Sequence, residues 1–157
     1  MSPTLKEDIR QRKGFTSPQQ EAFLNVLRTS SALTDALEDL LRPYGISATQ
    51  YNVLRILRGS DADGLCRNEL RDRMLTRMPD MTRLLDRMEE AGWVTRAREL
   101  EDRRMVLTRI SSAGQQLLAE LDGPVNDLHR RQLKGLSEAQ LRTLIDLLTL
   151  AREGESG

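Results

Sequence analysis

The sequence predicts a mainly α chain with one small β-hairpin, and three observations carry that reading. Apolar residues recur at three- and four-residue steps along most of the 157 residues. Three Ser-initiated capping boxes mark helix starts at Ser17, Ser47 and Ser137. Between 93 and 110 the pattern shifts to short runs of β-branched and aromatic residues, the signature of strands. A chain this long hides roughly 70% of its unfolded surface on folding, so its core needs no staples.

Residues 1–16 are charge-rich and aperiodic and read as a mobile arm. Ser17 then caps a helix, Pro18 suits its first position and Gln20 completes the box. Phe23, Leu24, Val26, Leu27, Leu33, Leu37, Leu40 and Leu41 form its apolar side, and Pro43 and Gly45 stop it. Ser47 and Gln50 open a second helix whose buried side is Tyr51, Val53, Leu54, Ile56 and Leu57. Gly59 ends it, and residues 59–64 are a loop by composition. Residues 66–74 make a short helix with Leu70 and Met74 on one side.

A further helix runs from Thr76 or Arg77 to about Ala91, where Gly92 closes it. Met78, Met81, Leu85 and Met88 are its stripe, and Pro79 is tolerable there only in the first turn. Residues 93–96 and 105–110 then pair as a hairpin, with the charged stretch 98–104 as its polar tip. Helix returns after Ser111, with Leu117, Leu118, Leu121, Val125, Leu128 and Leu133 apolar and a kink expected at Gly123-Pro124. Gly135 breaks the chain, and Ser137 with Gln140 opens a last, Leu-rich helix.

Composition narrows the chemistry. A single cysteine, Cys66, excludes a disulfide framework and a Cys-rich zinc site, and a single histidine, His129, excludes a His-based metal site. No apolar run reaches the roughly 20 residues of a membrane span and no signal peptide opens the chain, so a cytoplasmic location is expected. No nucleophile–base pair, Gly-rich phosphate loop or metal cluster points to an enzyme, and no cofactor is implied. Net charge is zero, with 24 basic residues against 24 acidic. The distribution is not uniform: 21 of the basic residues are Arg, and eleven of those fall between 67 and 110, against nine acids. Arg carries a planar fork that reads phosphates and guanine edges in pairs.

Helix, short helix, helix, hairpin, in that order over 47–110, is the plan of a winged helix-turn-helix lobe. The helix after the turn enters the major groove and the hairpin reaches the flanking backbone or minor groove. Residues 17–46 and 111–152 form a helical region flanking the lobe. Arg83 is the first choice for a base edge, through paired bonds to guanine. Asp80 and Thr82 are placed to select neighbouring bases, and Arg77 and Arg87 to touch phosphates. Arg67 and Asn68, near the start of the short helix, suit backbone phosphates.

The stretches TRMPDMTRLLDRMEEAGWVTR (76–96), EDRRMVLTRISSAG (101–114) and SATQYNVLRILRG (47–59) resemble the MarR family of transcription regulators, and the resemblance covers residues 18–152. Two departures stand out: Ser111-Ser112-Ala113-Gly114 at the cap after the hairpin, and Cys66 where Pro, Ser or Thr is more usual. The resemblance implies that Arg104 is the minor-groove arginine, with Asp102 as the acid that orients it; Arg103 is a phosphate candidate. It implies a homodimer, joined through the flanking helices, that reads double-stranded DNA at a pseudo-palindromic operator. It also implies a repressor released by a small aromatic or phenolic effector, for which Tyr44 and Tyr51 offer walls.

Two alternatives sit beside that reading. Cys66, near a helix start, is a redox candidate, although a lone cysteine is more often a small hydrophobe. A winged lobe can also serve as a protein-interaction module without binding DNA.

Overall fold

The computed structural model describes residues 2–154, and among these the chain divides into two compact units, the first ending at Gln115 and the second beginning at Gln116. The first holds α1 (Leu5–Asp8), α2 (Pro18–Leu41), a 3-10 turn (Arg42–Tyr44), α3 (Ala48–Arg58), β1 (Leu65–Cys66), α4 (Arg67–Arg73), α5 (Met81–Glu90), β2 (Val94–Arg98) and β3 (Val106–Ile110). The first residues of α6 (Ser112–Gln132) belong to it as well. The second unit holds the rest of α6 and α7 (Glu138–Glu153).

Local chemistry sets the helix starts. The Ser17 hydroxyl accepts the Gln20 N–H at 3.1 Å, with Pro18 at the first helical position. Ser47 and Gln50, and Ser137 and Gln140, close reciprocal boxes that satisfy donors the first turn leaves orphaned. Ser111 accepts the Gly114 N–H at 3.0 Å and donates its own proton to the Gly92 carbonyl at 2.6 Å, so one hydroxyl ties α6 to the end of α5.

The core of the first unit lies where α3, α4, α5 and the sheet converge, around Val53, Leu54, Leu70, Met81, Leu85, Met88 and Val94. The burial of Met81, Leu85 and Met88 follows the helical steps of α5. Each such side chain contributes roughly 1.5–3 kcal/mol on removal from water. The sheet is antiparallel in the order β1-β3-β2, with Leu65 opposite Thr108 and Val94 opposite Ile110. In the second unit, Leu118, Leu121, Val125 and Leu128 carry the buried side of α6, whereas α7 buries none of its residues.

Three expectations meet a different structure. Helix α5 starts at Met81, not at Thr76 or Arg77, because Asp80 caps it by accepting the Arg83 N–H at 3.1 Å. Pro79 therefore precedes the helix, consistent with its steric push on Met78 away from helical backbone. The hairpin gains a third strand, β1, two residues long and too short to show an alternating pattern. It depends on Gly64, whose φ is +87° and where a Cβ would lie 2.4 Å from the Thr108 carbonyl oxygen. Inside the stretch read as a mobile arm, Leu5–Asp8 make one helical turn with a Thr4–Glu7 capping box and a buried Leu5. Helix α6 runs through Gly123-Pro124, the position of the expected kink, as one helical span with Pro124 inside it.

Among the described residues no helix is long and apolar enough to cross a membrane.

Candidate nucleic-acid interface

Helix α5 divides cleanly. Met81, Leu85 and Met88 are buried, while Thr82, Arg83, Asp86 and Arg87 are exposed on the other side. Arg83 and Arg87, one turn apart, share that exposed face. Its position is set from both ends. At the start, Arg67 of α4 donates from Nη1 to the Thr82 hydroxyl at 2.8 Å, bridging the turn between the helices. Further along, Arg96 of β2 reaches Asp86 Oδ1 at 2.6 Å and Glu89 Oε1 at 3.1 Å.

The second clamp has an electrostatic signature. The hydrogen bond from the Arg96 guanidinium holds the Glu89 carboxyl below its ordinary range. On α4, the Cys66 backbone N–H donates to Glu69 Oε2 at 2.9 Å and pulls that carboxyl down in the same way. Cys66 is half-buried at the cap position of α4. The dipole of α4 itself is that of a two-turn helix, with Arg67 and Asn68 exposed in its first turn. Asn68 Oδ1 accepts from Arg71 Nη2 at 3.1 Å.

The wing tip is held by its own polar atoms. Asp102 Oδ1 accepts the backbone N–H of Arg104 at 3.0 Å, and the Arg103 carbonyl accepts from Arg98 Nη1 at 2.8 Å. Asp102 thus fixes Arg104 through the main chain. The side chains of Arg103 and Arg104 are left exposed at the tip.

A groove of about 400 Å³ runs between α4, α5 and the wing. It brings together Arg67, Asn68, Thr82, Asp102 and Arg104, and Cys66 lines it too. Arg83, Arg87 and Arg103 stand outside that groove on exposed surface. Arg77 lies in the turn before α5, in a second concavity with Arg71 and Pro79. Asp80 spends one oxygen on the α5 cap. Tyr44 and Tyr51 line neither concavity: Tyr44 ends the 3-10 turn at 37% exposure, and Tyr51 is buried on α3 with an unpartnered hydroxyl. Arg96, which also lines the groove, is the residue sequence reasoning passed over. It was legible only as one of many arginines, because its partners lie seven and ten residues back on another element.

Comparison with known proteins agrees with this geometry. A sequence model of the MarR family matches residues 46–106. The multiple antibiotic resistance protein MarR of Salmonella typhimurium is 31% identical over 113 residues, covering 71% of this chain and 77% of that protein. The HTH-type transcriptional repressor IacR of Pseudomonas putida is 28% identical over 126 residues, covering 80% of this chain and 74% of that protein. Among solved structures, a MarR transcription factor from Planctomyces limnophilus is 39% identical with a TM-score of 0.67, covering 87% of this chain and 99% of that one. A mutant MarR from Escherichia coli complexed with operator DNA is 26% identical with a TM-score of 0.76, covering 96% of this chain and 99% of that one.

Proposed function

The chain belongs to the MarR family, a family of transcription regulators and not of enzymes, and from that premise we propose that it is a homodimeric repressor that reads double-stranded DNA by sequence. The observation that carries the reading is the groove between helix and wing, where Arg67, Asn68, Thr82, Asp102 and Arg104 converge beside the exposed Arg83 and Arg87. Arg83 reads a base edge, guanine being the match for its paired donors. Thr82, its oxygen engaged by Arg67, has its proton to offer a neighbouring acceptor. Asp80 has one oxygen left for a base amino group. Arg77, Arg87, Arg103, Arg67 and Asn68 contact phosphates, which position the protein without selecting sequence. Arg104, held by Asp102, enters the minor groove from the wing.

Dimerisation is supported by apolar side chains left outside. Phe23, Val26 and Leu27 on α2 are 61%, 48% and 52% exposed, and Ile145, Leu147 and Leu150 on α7 are 60%, 58% and 61% exposed. Such side chains on each helix are available to be covered by a partner chain. A two-fold dimer presents two lobes to half-sites one helical turn apart. The repressor reading leans on the naming of IacR and on the operator-bound relative from E. coli. Release by a small molecule requires a ligand with unequal affinity for the two states.

Selection of bound sequences from a random duplex pool tests the proposal. An inverted repeat is expected, with Arg83→Ala losing preference at one position of each half-site. A parent chain that enriches no sequence, or an Arg83→Ala variant with unaltered preference, refutes the corresponding part.

A further inference from the structure

Leu75 is 86% exposed, yet its backbone is pinned. It sits in the turn between α4 and α5, directly after Met74, which ends α4 in extended backbone. Its N–H donates at 2.9 Å to Oδ1 of Asn52, a half-buried residue of α3 lying 23 positions earlier. A side chain that gains from leaving water is thus held out in it by a long-range hydrogen bond. The surroundings are cationic: Arg71 and Arg77 line the same concavity, Arg73 lies two residues back, and Asp72 is the acid there.

We infer that Leu75 is an apolar contact for a thymine methyl group in the major groove. The inference rests on the DNA-binding reading above. Arginines on either side of the turn match the phosphate strands that border a groove. Between those strands, the apolar group that a base pair displays in the major groove is the C5-methyl of thymine. An exposed leucine in the turn that leads from α4 to α5 is suited to meet it, and its pinned backbone keeps the ordering cost low.

The test uses the full chain and the tightest duplex it selects from a random pool. Each thymine is replaced in turn by deoxyuridine, which removes the methyl and leaves the pairing edge intact. Affinities are measured at one salt concentration for the parent and for Leu75→Ala. One thymine per half-site is expected at which the replacement weakens the parent about three- to fivefold, the scale of one buried methyl. Leu75→Ala should be indifferent to that replacement and should itself bind the thymine duplex more weakly by a similar factor. If the parent ignores every methyl, or both proteins respond equally, the inference is overturned while the DNA-binding reading stands. If the parent selects no duplex, both are overturned.

Discussion

Arg96 and Glu89 are joined twice: the Arg96 backbone N–H donates to Glu89 Oε2 at 3.1 Å, and Nη2 donates to Oε1 at the same distance. With Asp86 as the third member, this ties strand β2 to the exposed side of α5. Arg96, whose side chain is 22% exposed, thus ties the wing to the helix it flanks through both its main chain and its guanidinium.

Arg96→Ala should loosen the wing without unfolding the lobe. Its carboxylate partners are 52% and 43% exposed, so solvent screens most of the pair energy, and a loss of about 1 kcal/mol is expected. A denaturant midpoint measures it. A double-mutant cycle with Glu89→Gln should show the two substitutions to be non-additive, and strict additivity would contradict a direct clamp.

The same clamp predicts a pH response. Glu89 is held below its ordinary 4.5, so the folded chain keeps this carboxyl ionised more readily than the unfolded chain does. Its contribution is complete above that ordinary value and disappears as pH falls through the lower folded value. Glu69 shifts in the same direction through the Cys66 N–H. The stability gap between the parent and Glu89→Gln should thus be present near neutrality and close in acid. A gap that is constant across the acid range would show that the carboxylate is not the source.

Tyr51→Phe removes a buried hydroxyl with no hydrogen-bond partner. Deleting an unsatisfied polar atom while retaining the ring should leave stability unchanged or raise it by about 1 kcal/mol. Thermal unfolding of the variant gives the sign, and a clear drop would mean that the hydroxyl is engaged.

Two glycines with left-handed backbone should respond unequally to alanine. At Gly92, φ is +82° and nothing lies within 4 Å of an added Cβ, so only the backbone penalty of about 1–2 kcal/mol applies. At Gly64, φ is +87°, and the Cβ would meet the Thr108 carbonyl oxygen at 2.4 Å and the Arg109 side chain at 2.7 Å. Gly64→Ala should therefore cost clearly more and detach β1 from β3. Equal melting shifts for the two variants would rule out the close approach at β1.

Capping chemistry made the helix starts at Pro18, Ala48 and Glu138 readable from four-residue windows. Apolar spacing likewise marked Met81, Leu85 and Met88 as the inward side of α5, leaving Arg83 and Arg87 outside. These features are local, and each is decided by residues within one or two turns. Tertiary structure decided the rest. The start of α5 moved to Met81 once Asp80 used its carboxylate as a cap. Strand β1 exists because Leu65 and Cys66 find Thr108 and Leu107 more than 40 residues on, a pairing two residues cannot announce. The Arg67–Thr82 and Arg96–Glu89 contacts frame the candidate interface, and both join different elements. Sequence determined which residue types were available and which faces they occupy. Only the packed chain could bring a side chain from one element to a partner on another, because that distance is set by the whole core and not by any local repeat.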